Sequence, residues 1–417
     1  MSRKGNSAHT AMGSRSVREA PVAVQLIGAC LAALLPWAGL IKTTLGLSFP
    51  IDATAALVLV LAIIGCVQFA FELVVPWSLL AVGSLFVALA LGLTHVPLSA
   101  VADDKITRLF ILTSVGVAAA AVTLRHERQT RAFIHATLLV TGALAVTSLL
   151  LGNTVGDSGR ESLGTTPVST GQVAGAFSIT LLALLVARRI PAWFALTGAV
   201  LGTVACLATG SRGPVVALMA ATCVLLLAAS ANASVRRLAV IGGALVVLAF
   251  VAVAFVPDQA LGRIGIVLSG DPGTSGEARI YLGRIASQVA SENPLTGIGW
   301  GNLNAIVPPA LGSIDQRVYA HNLVLEVASE AGLIAAVVVV GVLVYSWWRG
   351  WQSRRSDATL TVLTLFTYLL VAACFSGDLN DNRGVLVLMV ATLNSAWCVR
   401  QRPQQTSPVE AIHGATR

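Results

Sequence analysis

Apolar runs of near-constant length, broken by short polar stretches, dominate this chain. A run of about 20 residues is what an α-helix needs to cross the hydrocarbon of a bilayer. A transmembrane window predicts about twelve such spans. They centre on Val22–Ile41, Ala53–Phe69, Val75–Leu93, Leu109–Leu124, Phe133–Leu151, Gln172–Ala187, Ala192–Ala208, Val215–Ala229, Leu238–Val256, Leu333–Trp348, Leu360–Phe375 and Val385–Val399. The first follows a basic leader with Arg3, Lys4, Arg15 and Arg18, as a signal peptide would. The many later spans favour a retained first helix. With no soluble domain, low-complexity linker or internal repeat, residues 1–417 read as one polytopic domain. The expected fold is an all-α integral membrane protein with one large loop, residues 257–322, between the ninth and tenth spans.

The breaks give an orientation. With the N-terminus in the cytoplasm, alternate loops carry Arg125, Arg128 and Arg131, then Arg188 and Arg189, Arg236 and Arg237, Arg349, Arg354 and Arg355, and a tail with Arg400 and Arg402. All fall on the cytoplasmic side, as the positive-inside rule requires. The loop near Glu72 is silent. The opposite face receives Thr94–Lys105, Gly152–Thr170, Thr209–Pro214, the long loop and Ser376–Arg383.

Composition agrees with a membrane reading. The 417 residues are 56% hydrophobic and 11% charged, against about 25% charged in a soluble domain, and mean hydropathy is +0.81. The net charge of +8 sits in short inter-helix loops, so nucleic-acid binding is not expected. All six cysteines lie inside apolar runs without metal-ligand spacing and read as small fillers.

The chemistry gathers in Gly276–Leu333. This stretch contains GEARIYLGRIASQVASENPLTGIGWGN and, further on, AHNLVLEVASEAGL. Arg212, in TGSRGP, stands on the face where basic residues are not expected. It suits an anion held at a helix N-terminus, or an interfacial arginine snorkelling to headgroups. Arg279 lies on a predicted amphipathic helix, about Glu277–Glu292, whose stripe is Ala278, Leu282, Ile285 and Val289. Arg284 points elsewhere and reads as solvated. Trp300, in a Gly-punctuated turn, is either an interfacial anchor or a platform for a sugar ring. His321 precedes the tenth span and is the natural general base. Glu326 and Glu330 follow it on one helical face, and carboxylates there need a polar cavity. Asp378, Asp381 and Arg383 lie on the same side, orienting site residues or capping the last span. Two arginines and a histidine suit transfer from a lipid-linked diphosphate: the guanidiniums hold and neutralise the diphosphate while the imidazole takes the acceptor's proton. There is no Walker A sequence and no dinucleotide fingerprint.

With TGSRGP, the arginine helix leading into ENPLTGIGWGN, and AHNLVLEVASEAGL, the chain resembles the O-antigen ligase and polymerase superfamily over most of its length. The resemblance implies a metal-independent, cofactor-free, inverting glycosyltransferase of the bacterial inner membrane. Both termini would be cytoplasmic and the active site would face the periplasm. Its donor would be an undecaprenyl-diphosphate-linked glycan. It also implies that Arg212 and Arg279 bind the diphosphate and that His321 is the catalytic base. Arg279 is preferred to Arg284 for its spacing to the NPLTG turn. Glu277, Trp300, Glu330, Asp378 and Arg383 become supporting residues. A ligase, with lipid A–core as acceptor, is favoured over a polymerase extending a growing glycan. A transporter or flippase for a lipid-linked or anionic substrate is the reading from another class. It would place charge within broken helices near the midplane.

Overall fold

A computed structural model describes residues 19–44, 52–151, 167–230, 273–307 and 318–401. The described residues are helical, without strands. Among the described residues, nine helices are long and apolar enough to cross a membrane. In chain order they begin with α1 (Val22–Lys42), α2 (Ala53–Glu72), α3 (Trp77–Thr94), α4 (Ala100–Thr123) and α5 (Glu127–Leu151). Next come α6 (Pro167–Val186) and the shorter apolar α7 (Ala192–Ala208), then α8 (Arg212–Ser230). After the undescribed residues come the amphipathic α9 (Gly273–Glu292) and α10 (Leu323–Ala331). The series closes with α11 (Leu333–Gln352), the shorter apolar α12 (Asp357–Ala373) and α13 (Arg383–Gln401). Each expected span meets one of these helices except Leu238–Val256, which lies outside the described residues, as do residues 257–272 of the expected loop.

The fourth span departs from expectation. Its helix starts at Ala100 rather than near Leu109, so Asp103, Asp104 and Lys105 are helical and not part of a loop. Ser99 caps it by accepting the Ala102 N–H at 3.2 Å, and Asp103 complements the N-terminal dipole. A π-helical turn follows at Arg108–Thr113. Such turns insert one extra residue into the helical ladder and often mark functional positions.

Helices α6, α12 and α13 are the most enclosed, and α2, α3 and α11 face outward with bare Leu59, Ile63, Val87 and Val337. That exterior suits lipid. Small residues allow the central crossings. Gly202 on α7 lies against the Ala174 carbonyl of α6, where an added Cβ would be 2.9 Å away. Ser178 donates to the Ala199 carbonyl at 2.9 Å, and its hydroxyl lies 2.9 Å from Thr203 Oγ1. Tyr368 of α12 donates to the Gly171 carbonyl at 3.2 Å across the face of Gly175.

The bundle has two unlike ends. At one, Arg125 pairs with Glu72 at 3.2 Å, and Arg189 pairs with Asp357 at 2.7 Å. The loop that looked silent therefore contributes Glu72 as a buried counter-ion to the next basic loop. We call this the basic end. The opposite end carries α9, α10 and the polar segments around them.

A methyl at position 175 would collide with the Tyr368 hydroxyl and ring. Gly175→Ala is expected to destabilise the bundle by about 1–3 kcal/mol. Tyr368→Phe in that background should recover part of the loss by removing the colliding oxygen. Unfolding in mixed micelles would measure both.

Candidate functional site

The polar end is built around a turn laid on a helix terminus. After α9 ends at Asn293–Pro294, the Gly-rich turn runs back over the last residues of α10. The Ile298 N–H donates to the Ser329 carbonyl at 2.9 Å, Gly299 N–H to the Glu330 carbonyl at 3.0 Å, and Leu333 N–H to the Pro294 carbonyl at 2.7 Å. These bonds satisfy carbonyls that the end of α10 would otherwise leave open. Gly301 has φ +75, and a Cβ there would sit 2.6 Å from the Ala102 backbone. The turn thus needs glycine both for its backbone and for its approach to α4. Asn302 fastens the preceding loop, accepting the Leu98 N–H at 2.9 Å and donating to the Val96 carbonyl at 3.1 Å.

Beneath the turn lies a buried ion cluster. Lys105 Nζ is 2.6 Å from Glu326 Oε1 and 2.7 Å from Glu330 Oε2. Glu330 also accepts the Gly301 N–H at 2.9 Å. The ammonium lies over the Trp300 ring, 5.6 Å from its centroid. Trp300 is fully buried, donates to the Leu89 carbonyl at 3.0 Å and meets Phe110 edge-on. Neither reading of Trp300 from sequence fits this placement. No ring face is open to stack on a sugar or to anchor at an interface, because the indole is the floor under Lys105. Burial raises both glutamates above the usual carboxylate range, and Lys105 opposes the rise.

A cleft opens beside this cluster. Lys105, Arg108, Tyr319, Asp378, Asp381 and Arg383 line it. Arg108 pairs with Asp104 at 2.9 Å. Arg383 is the first residue of α13, nearly buried, and donates Nε–H to the Asn380 carbonyl at 2.9 Å. Asn380 in turn donates to the Lys105 carbonyl at 3.3 Å and accepts from Thr113 Oγ1 at 3.2 Å. Asp378 holds its own loop by accepting the Asp381 N–H at 2.8 Å. Burial, with Asp381 and Asp378 nearby, pushes the Tyr319 phenol up to about 12.

His321 stands one ring behind that cleft. Its centroid is 4.4 Å from Tyr319's, and its φ is +55, a left-handed backbone that is uncommon outside glycine. The residue after it explains the turn. Asn322 caps α10 by accepting the Val324 and Leu325 N–H groups at 3.0 and 3.1 Å, and donates to the Cys374 carbonyl at 3.4 Å. His321 Nδ1 is buried without a hydrogen-bond partner among the described residues. Burial pushes the imidazole down to about 4, and the Arg279 charge adds to the effect. At neutral pH it is therefore a free base.

The other expected residues divide. Arg279 is half-buried on α9 and acts electrostatically on both His321 and Tyr319. Arg284 and Glu277 are exposed. Arg212 opens α8 at the same end of the bundle. An added Cβ on the adjacent Gly213 would lie 2.9 Å from Phe375 Cβ, and Phe375 follows the Cys374 that Asn322 engages. Lys105 and Tyr319 are the residues that sequence reasoning missed. A lysine placed just before a long apolar run was the available signal for the first.

Two outcomes follow. Lys105→Met should cost about 3–5 kcal/mol of stability by stranding buried carboxylates, and adding Glu326→Gln and Glu330→Gln should recover part of it in the same unfolding measurement. For His321, the folded state resists the proton that the unfolded chain accepts near pH 6.5. Its contribution to stability is thus intact above that pH and declines as pH falls toward 4. Histidine-labelled NMR should find it neutral at pH 5.5, with Arg279→Ala moving its midpoint upward.

The model of the family described as O-antigen ligase matches residues 197–340. That segment contains Arg212, Glu277, Arg279, Trp300, His321 and Glu330, whereas Lys105, Asp378 and Arg383 lie outside it. No curated protein and no solved structure matches the chain. The likeness to the O-antigen ligase family, whose members are membrane glycosyltransferase-like enzymes, thus rests on residues 197–340.

Proposed function

We propose that this protein is an O-antigen ligase that moves a glycan from an undecaprenyl-diphosphate donor to a hydroxyl of lipid A–core. The observation that carries the reading is His321. It is a neutral, partly buried imidazole with an unpartnered ring nitrogen, set beside the Arg279 charge at the polar end of an apolar bundle. A base with its pKa held low is deprotonated and ready at neutral pH. Arg279 and Arg212 bind the diphosphate and stabilise the negative charge that grows on it as the sugar leaves.

The acceptor oxygen attacks the anomeric carbon on the face opposite the diphosphate. The new C–O bond forms as the sugar–phosphate C–O bond breaks, giving inversion. His321 takes the hydroxyl proton and the diphosphate leaves with the electron pair. The step calls for no metal and no cofactor. Lys105, Glu330, Asp378 and Arg383 hold the walls around the reacting groups. The polar end faces the periplasm of a bacterial inner membrane, and the basic end, with both termini, faces the cytoplasm.

Purified protein in nanodiscs would receive an undecaprenyl-diphosphate glycan with either lipid A–core or a second lipid-linked repeat. The expected product is a single transfer to lipid A–core. His321→Ala should reduce it by about 10²–10⁴-fold, and Arg279→Ala or Arg212→Ala should abolish it, while each variant still inserts and folds. A ladder of lengthened lipid-linked glycan would make the protein a polymerase instead. Absence of any product from folded wild type would overturn the glycosyltransferase assignment.

A further inference from the structure

The basic end carries a second feature that catalysis does not use. Here α3, α11 and α13 leave between them a groove of about 570 Å³. Its walls are apolar and aromatic, with Trp77 and Leu80 from α3, Gly341 and Tyr345 from α11, and Trp397 from α13. Trp77 and Leu80 are largely exposed, so the groove opens to the side of the bundle, where lipid lies. Nothing lies within 4 Å of where a Gly341 Cβ would be.

The order of residues along the groove is regular. On α11, Gly341, Tyr345 and Arg349 follow at successive turns of one face. On α13, Leu393, Trp397 and Arg400 do the same. Each helix thus passes from hydrocarbon to interfacial aromatic to guanidinium over about 12 Å. Trp77 and Trp397 meet with ring centroids 5.8 Å apart. The two guanidiniums are held in place. Arg349 lies over the Tyr345 ring, 5.9 Å from its centroid, and Arg400 donates to the Gln352 amide oxygen. No carboxylate lines the groove among the described residues. Two cations from different helices, at the head of an apolar slot one acyl-chain segment long, complement a molecule with one anionic end and one hydrocarbon tail.

We propose that this groove is a binding site for an anionic phospholipid, with an acyl chain between α3 and α11 and the phosphate at Arg349 and Arg400. Basic pockets between helices on the positive side of a membrane protein suit this class of headgroup. A second copy of the chain is disfavoured as the occupant, because a two-fold contact would bring both arginine pairs together.

The test uses the full-length protein in detergent and follows its thermal unfolding. The probes are dioleoylphosphatidylglycerol, dioleoylphosphatidylcholine and inorganic phosphate. The variants are Arg349→Gln with Arg400→Gln, which removes the charge, and Gly341→Trp, which fills an open position in the groove. Phosphatidylglycerol should raise the unfolding temperature of wild type well beyond the other two probes, and native mass spectrometry should show it retained. Both variants should weaken its apparent affinity by about tenfold or more. An equal shift with phosphatidylcholine or with phosphate alone would overturn the proposal. So would an unchanged shift in the variants, or a concentration-dependent dimer that Gly341→Trp dissolves.

Discussion

A single ammonium organises the polar end of this protein. Lys105 is buried, and a buried cation persists only where its charge is answered at close range. Both answering carboxylates, Glu326 and Glu330, come from α10, one helical turn apart. Their spacing fixes the rotation of α10 against α4. Glu330 then fixes the Gly301 backbone, which brings the Gly-rich turn over the cluster and seats Trp300 beneath Lys105. Asn380, bonded to the Lys105 carbonyl, ties in the loop before α13. Segments far apart in the chain are thus held by charge and directional hydrogen bonds. That mode of attachment suits a place where apolar burial alone gives little orientation.

His321 inherits its position from this frame. The cluster holds α10, the Asn322 cap defines where α10 begins, and His321 is the residue forced into left-handed backbone just before it. Strain of this kind survives only when its surroundings over-determine it. Asn322 supplies that constraint from two sides, through the helix N–H groups and through the Cys374 carbonyl of the neighbouring segment. The histidine–asparagine pair is therefore one mechanical unit, with asparagine holding the backbone and histidine presenting the ring. A substitution at Asn322 would displace the imidazole without altering its chemistry.

Much of this architecture was legible in the sequence, because lipid-facing helices must be apolar for about 20 residues and a window of that length finds them. The same window failed at the start of α4. It discounts polar residues, so Thr94–Lys105 read as loop, although Ser99 and Asp103 are ordinary signals of a helix N-terminus. Lys105 was missed with it, since its partners lie more than 200 residues away and no local pattern joins them. The shared face of Glu326 and Glu330 was readable, and so was the need for a polar environment around them. Trp300 misled for a different reason. An aromatic in a glycine turn is equally compatible with a surface platform and with a core post. Only the approach of Leu89 and Phe110 decides, and that approach is tertiary.

The two ends of the bundle treat charge differently, and this bears on how such a protein separates structure from chemistry. At the basic end, apart from the buried Arg125–Glu72 pair, Arg189 and Asp357 pair at the surface, while Arg349 and Arg400 line an outward-facing groove. Solvent and headgroups screen these charges, so each can be altered with modest effect on its neighbours. At the polar end, Lys105, Glu326, Glu330, Asp378 and Arg383 are all buried and within one electrostatic neighbourhood. A charge change at any of them must be felt by the others. The imidazole of His321 sits at the rim of that neighbourhood, close enough for the Arg279 charge to hold its proton affinity down. The ion pairs of the buried cluster hold α10 against α4, so the imidazole at its edge is carried on that frame.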